Sequence, residues 1–179
     1  MKECAMSDEA AGAAASNVAG APNPAQFREA MSRVAASVHI VSTDGAAGLG
    51  GLTATSFASI SADPPMLLFC IHKGSPTADR MVENGVFCVN ELRPEHQPLA
   101  DVFAGRSGCR LEERFAAGVW SKLATGAPVL AGALASFDCR LVETKEVGTH
   151  LIMIGAVEAV AYGEPTQALA YVHRAYRAL

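Results

Sequence analysis

The chain has 179 residues, half of them hydrophobic and 18 % charged, with 14 basic against 18 acidic side chains for a net charge of −4. That length and composition fit one well-filled globular domain, and the mild acidic excess argues against a general binder of nucleic-acid backbones. No apolar stretch approaches the roughly twenty residues of a membrane-spanning helix. The five cysteines (Cys4, Cys70, Cys88, Cys109, Cys139) are odd in number and lack close pairs. They read as the thiols of a reduced, cytoplasmic protein without a disulfide framework or a zinc site.

Residues 1–23 are expected to be a disordered Ala-rich leader. Acidic residues and glycines interrupt it, so it has no continuous apolar core of a signal peptide. The folded domain is expected over residues 24–179. After Asn23-Pro24, a helix start signal, Phe27, Met31 and Val34 recur at helical intervals with Ala30 and Ala35. "SVHIVST" reads as a β-branched strand that ends at Asp44-Gly45, a hairpin turn signal. The chain returns through "GLGGLTATSFASIS", and a Pro-Pro corner leads into the strand "MLLFCIH". A short helix, "PTADRMVEN", stops at Asn84-Gly85. "VFCVNEL" is a further strand and "PEHQPLADVFAG" a helix closing on glycine. A polar stretch to Ala127 precedes "ALASFDCRLVETKEV" and "THLIMIGAVEAVAYG", two long strands suited to antiparallel pairing. The tail, "QALAYVHRAYRAL", has helical spacing or forms a docked arm. Six or seven strands joined by turns, with two or three short helices, predict a mainly β antiparallel barrel plugged by helices rather than a doubly wound sheet.

Four features bear on chemistry. "GLGGLT" superficially matches a dinucleotide fingerprint, but the fingerprint needs a helix to start at its glycines and here a strand begins. Five hydroxyl side chains fall between Thr53 and Ser61. Sorted by strand parity, Leu52, Ala54, Ser56, Ala58 and Ile60 form a packing face, while Thr53, Thr55, Phe57, Ser59 and Ser61 form a hydroxyl row. That row is either a solvated strand face or the wall of a polar ligand site. In "HKGSPTADR", Ser75 falls at the N-cap and Pro76 at the first helical position, with the Ser75 and Thr77 hydroxyls and the Lys73 ammonium nearby. This is an ordinary capped helix or an anion site. His150, in "GTHLIMIG", is the third candidate, either solvated or reactive. No metal-ligand spacing links the five histidines, and no nucleophile motif is present.

Together, "GLTATSFASISADPPMLLFCIHKGSPTADRM", "GVFCVNEL", "LADVFAG", "GAPVLAGALASFDCRL" and "GTHLIMIGAV" resemble the flavin reductase-like, FMN-binding split-barrel family. The likeness extends to the short reductase components of two-component flavin-dependent monooxygenases, such as that of 4-hydroxyphenylacetate 3-monooxygenase. It covers roughly Gln26 to Arg177. The resemblance implies a homodimeric split β-barrel that binds FMN or FAD, takes hydride from NADH or NADPH, and passes reduced flavin to a separate monooxygenase. It implies that Thr53, Ala54, Thr55 and Ser56 lie along the flavin, that Lys73, Ser75 and Thr77 meet its phosphate, and that Phe103, Ala104 and Gly105 form a bordering loop. His150 corresponds to a histidine beside the nicotinamide, and Tyr171 and Arg174 to a tail closing over the site. Two positions depart from the family's pattern: Ala156 where an acidic residue is usual, and Thr149 where aspartate is common. An electron carrier that retains FMN without nicotinamide turnover is the alternative, and a domain for another phosphorylated cofactor or a haem is a third.

Overall fold

The structure, a computed structural model, describes residues 20–106 and 108–179. The expected leader therefore lies outside the described residues as far as residue 19. The chain divides into two units, Met1–Met31 and Ser32–Leu179. In the first, helix α1 (Pro24–Met31) starts where Asn23-Pro24 predicted. The Asn23 side chain accepts the Ala25 and Gln26 amides at 2.9 and 3.0 Å, and Gln26 accepts the Asn23 amide at 2.9 Å. This reciprocal capping box fixes the helix start. The helix stops at Met31, short of the Val34 and Ala35 that its spacing suggested.

The second unit runs β1 (Ala36–Ser37), β2 (His39–Thr43), β3 (Gly50–Ala54), β4 (Phe57–Ala62), β5 (Pro65–His72), α2 (Pro76–Asn84), β6 (Val86–Glu91), α3 (Gln97–Phe103), β7 (Trp120–Lys122), β8 (Pro128–Leu130), β9 (Ala135–Val147), β10 (His150–Tyr162), β11 (Leu169–Val172) and β12 (Ala175–Ala178). Short 3-10 turns lie at Pro94–His96 and Glu113–Ala117. Seven strands form one antiparallel sheet in the order β3-β2-β6-β9-β10-β5-β4.

Its two edge strands, β3 and β4, are consecutive in the chain and joined only by Thr55 and Ser56. A flat seven-stranded sheet would set its edges about 29 Å apart. A two-residue link spans at most about 11 Å between flanking Cα atoms. The sheet must therefore curl until its edges nearly meet, without hydrogen-bonding to each other, which makes a split barrel. The mainly β, antiparallel class expected from sequence is the class found.

Val41, Leu67, Phe69, Phe87 and Met153 fill the barrel interior, with Phe69 and Phe87 packed edge-to-face at 5.1 Å. Phe87 packs closely against β10, where a Cβ at Gly155 would fall 2.4 Å from its ring. A second core cluster (Val38, Ile40, Leu92, Phe103, Phe115, Leu169) forms under α3. Asn90 ties the two-stranded β7–β8 sheet to the barrel: its Oδ1 accepts the Leu130 amide and the Ser136 hydroxyl, both at 2.9 Å. Every atom of that buried amide group is thus engaged, as burial requires.

Several expectations are corrected. Residues 52–61 are not one strand. The break at Thr55–Ser56 and a register shift between Ser59 and Ser61 defeat the parity count. Phe57 packs against the core cluster, whereas Ala58 and Ile60, assigned to the packing face, are exposed. The tail is not helical: β11 and β12 pair as a hairpin, and β1 adds to β11. The polar stretch before Ala127 holds a 3-10 turn and β7. The described residues contain twelve strands, more than the six or seven expected. Among them, Cys70, Cys88 and Cys139 are free thiols. Burial pushes Cys139 up to about 12 and raises Cys88 further, so both behave as small apolar groups. No helix among the described residues is long and apolar enough to cross a membrane.

Candidate active site

β5 delivers the chain to one end of the barrel, where Lys73 and Gly74 turn it into α2. Ser75 stands at the N-cap with extended backbone (φ −77°, ψ 127°) and Pro76 occupies the first helical position. Pro fits there because its missing N–H has no acceptor and its φ is already helical. At the far end Gly85 takes the left-handed conformation (φ 67°) and its amide bonds Met81 O at 3.0 Å, which stops the helix. The Ser75 hydroxyl makes no capping bond with the helix, so it remains available at the positive end of the helix dipole.

A cleft of about 430 Å³ opens at this helix start, lined among others by Thr53, Ser75, Thr77, Phe103, Gly105 and Arg114. Three elements meet at the carbonyl of Gly51 on β3. Thr77, buried in α2, donates its hydroxyl to it at 3.4 Å, and Arg114 Nη1 donates at 3.2 Å. Arg114 Nη1 also reaches Phe103 O at 3.2 Å, tying the loop after α3 to the barrel. On the same strand, Thr53 donates its hydroxyl to Ala100 O in α3 at 2.6 Å. Arg114 Nε is buried and has no hydrogen-bond partner. Arg80, behind the cleft, donates to Leu49 O and pairs with Glu112 at 2.6 Å.

The neighbouring corner carries the histidine. His150 begins β10, directly opposite His72 at the end of β5, with ring centroids 5.4 Å apart and edge-to-face. The Lys73 amide bonds Thr149 O at 3.0 Å, and Lys73 Nζ pairs with Glu146 at 2.5 Å. His150 therefore adjoins the turn that opens α2.

Residues 31–179 match the family described as the flavin reductase like domain. The chain belongs to this flavin reductase-like family. It is 50 % identical over 153 residues to the FMN reductase (NADH) RutF 2 of Methylorubrum extorquens, covering 86 % of this chain and 88 % of that protein. Among solved structures it is similar to BorF, the flavin reductase component of a bacterial two-component tryptophan halogenase (TM-score 0.81, 32 % identity, 88 % and 98 % of the two chains). It also resembles the Streptomyces globisporus NADH:FAD oxidoreductase SgcE6 in complex with NAD and FAD fragments (TM-score 0.79, 26 % identity, 89 % and 96 %).

Within this flavin reductase-like domain, six of the residues singled out in the sequence share the cleft: Thr53, Ser75, Thr77, Phe103, Ala104 and Gly105. Thr77 does so with its hydroxyl turned to Gly51. Ala54 is buried on the core side, while Thr55 and Ser56 are exposed at the strand break, beyond the cleft lining. The Ser56 hydroxyl donates to Cys70 O at 2.9 Å, which pins the break to β5. Lys73 is held by Glu146 rather than aimed into the cleft. Tyr171 and Arg174 belong to the terminal hairpin. Tyr171 packs on Tyr176 at 5.3 Å, and the Tyr176 hydroxyl bonds Asp101 of α3 at 3.4 Å. Burial, with the Asp101 charge, pushes the Tyr176 phenol up, and neither Tyr171 nor Arg174 lines the cleft.

Leu52, Cys109, Arg110, Leu111 and Arg114 line the cleft without having been singled out. A cationic pair, Arg110 and Arg114 in "CRLEERF", was the available signal, but it lies well beyond the end of α2 at Asn84, and spacing alone does not join them.

Proposed function

We propose that this protein is an NAD(P)H-dependent flavin reductase. It reduces FMN, or FAD, with a nicotinamide donor and supplies the reduced flavin to a partner monooxygenase. One observation carries the reading: the cleft at the start of α2 joins an uncommitted Ser75 hydroxyl, the helix dipole and the unpartnered buried Nε of Arg114. This donor set suits a phosphate. The likeness to an FMN reductase (NADH) at 50 % identity supports it, as does the SgcE6 complex with NAD and FAD fragments.

A flavin supplies a ring that accepts hydride and can be reoxidised elsewhere. Ser75, Arg114 and the first turn of α2 hold its phosphate end, while Lys73, its charge paired with Glu146, stands in the turn before them. Thr53, the backbone of Ala54 and the exposed Thr55 and Ser56 border its ribityl and ring portions, with Phe103, Ala104 and Gly105 closing the other wall. Where the sheet splits at Thr55–Ser56, the backbone leaves the β3 and β4 ladders and offers polar partners to a flat ring. His150 positions the nicotinamide as a hydrogen-bond donor, since hydride transfer itself needs no proton from the enzyme. Tyr171 and Arg174 act from the terminal hairpin, on the far side of α3. A homodimer in the cytoplasm completes the proposal, and the free cysteines suit that setting.

The test is steady-state oxidation of NADH and of NADPH with FMN, FAD and riboflavin supplied in turn. Turnover that rises with added free flavin supports the proposal. A protein that binds flavin but is inert to both nicotinamides sustains the electron-carrier alternative instead.

A further inference from the structure

His72 lies outside the cleft lining, yet it makes the contacts that shape the α2 turn. Its Nδ1 accepts the Gly74 amide at 3.1 Å, and its carbonyl accepts the Ser75 amide at 2.9 Å. A Cβ on Gly74 would fall 3.3 Å from the His72 ring, so the turn folds closely over the imidazole. An Nδ1 that accepts a backbone N–H bears no proton, which leaves the proton of the neutral ring on Nε2. The same ring packs edge-to-face on His150 across the β5–β10 ladder. His150 Nδ1 is in turn 2.9 Å from the Thr149 hydroxyl.

We propose that His72 is a positioning residue that couples the two ends of the site. Resting on the flavin reading, it holds the Gly74–Ser75 turn in phosphate-binding form through Nδ1 and braces His150 through its ring. The acceptor at Nδ1 and the ring face are separate contacts of one side chain, so the turn and His150 are held by the same residue.

The conservative probe is His72→Asn. An asparagine carbonyl oxygen accepts a backbone amide two residues on, as in an Asx-turn, but brings no ring against His150. His72→Leu removes both the acceptor and the ring. Three readouts are compared: hydrogen exchange of the Gly74 amide in the ligand-free protein, FMN affinity, and the KM for the nicotinamide donor.

We expect His72→Leu to speed Gly74 exchange and to bind FMN about fivefold more weakly, the size of one hydrogen bond. His72→Asn should restore slow exchange and FMN affinity to within about twofold of the wild type, while both variants raise the nicotinamide KM through the lost ring. Gly74 exchange and FMN affinity unchanged in His72→Leu overturn the inference, as does a nicotinamide KM unchanged in both variants. A wild type that binds no FMN refutes the flavin reading instead, and Gly74 exchange then still decides whether His72 holds the turn.

Discussion

Gly51 lies close against the ring of Phe103, so that a Cβ at position 51 would fall 2.7 Å from ring Cε1 and 3.1 Å from Phe115. The contact sets the loop after α3 against β3, and the Gly51 carbonyl is the acceptor shared by Thr77 and Arg114. Gly51→Ala should therefore push Phe103 outward. We expect about 1–3 kcal/mol of destabilisation from overpacking, measured by urea unfolding, together with weaker FMN binding. Unchanged stability would show that the loop yields freely.

His39 is buried in β2, its ring centroid 4.6 Å from that of Phe57 and tilted by 37°, and neither ring nitrogen has a well-formed hydrogen bond. Burial, only partly offset by the nearby Ala54 and Ser37 backbone, lowers it to about 4. The sign follows from proton uptake. Above about pH 6.5 the ring is neutral in both states and contributes no pH dependence. Between about 6.5 and 4 the unfolded chain binds a proton that the folded protein refuses, so stability falls as pH falls, by about 3 kcal/mol in all. Urea unfolding at pH 7.5 and 4.5 should show most of this loss in the wild type and little of it in His39→Leu. Equal losses in both would place the acid sensitivity elsewhere.

The β11–β12 hairpin turns on His173 and Arg174, both with positive φ (51° and 58°) between the paired Val172 and Ala175. Such a turn favours Asn-Gly, because other side chains meet the backbone in this region. His173→Asn should stabilise the protein by about 0.5–1 kcal/mol, a rise of about 1–4 °C in melting temperature for a domain of this size. A lower melting temperature would show that the His173 side chain has a role the turn geometry does not reveal.

These same residues explain what the sequence made legible. Asn84-Gly85 and Ser75-Pro76 announced both ends of α2 because capping chemistry is local and each residue type has one conformational reason to be there. The long β9–β10 pair was plain from its length and its turn at Gly148. The terminal hairpin was hidden because His-Arg carries no turn signal, and small alanines at spacings of three and four mimic a helix. The break at Thr55–Ser56 was hidden for a different reason. It exists because the barrel's two edges must be bridged there, a long-range demand that side-chain parity does not register. Arg114 escaped notice likewise: its partners, Gly51 and Phe103, are distant in sequence and are backbone carbonyls without side-chain identity.

His150 is exposed at the start of β10, so replacing it should cost little stability. His150→Ala should raise the KM for the nicotinamide donor about tenfold, in line with one lost hydrogen bond to a polar group, while FMN affinity stays within about twofold. Unchanged kinetics would remove His150 from the nicotinamide site.

The most direct test is an equilibrium titration of FMN and riboflavin against the wild type and Ser75→Asp. Aspartate is as good a helix cap as serine, so α2 should persist while a negative charge enters the place assigned to the flavin phosphate. We expect FMN to bind at least about tenfold more weakly to Ser75→Asp, with riboflavin nearly unaffected, as like-charge repulsion acts only on the phosphate. FMN binding equally tightly to both proteins would contradict a phosphate site at the start of α2.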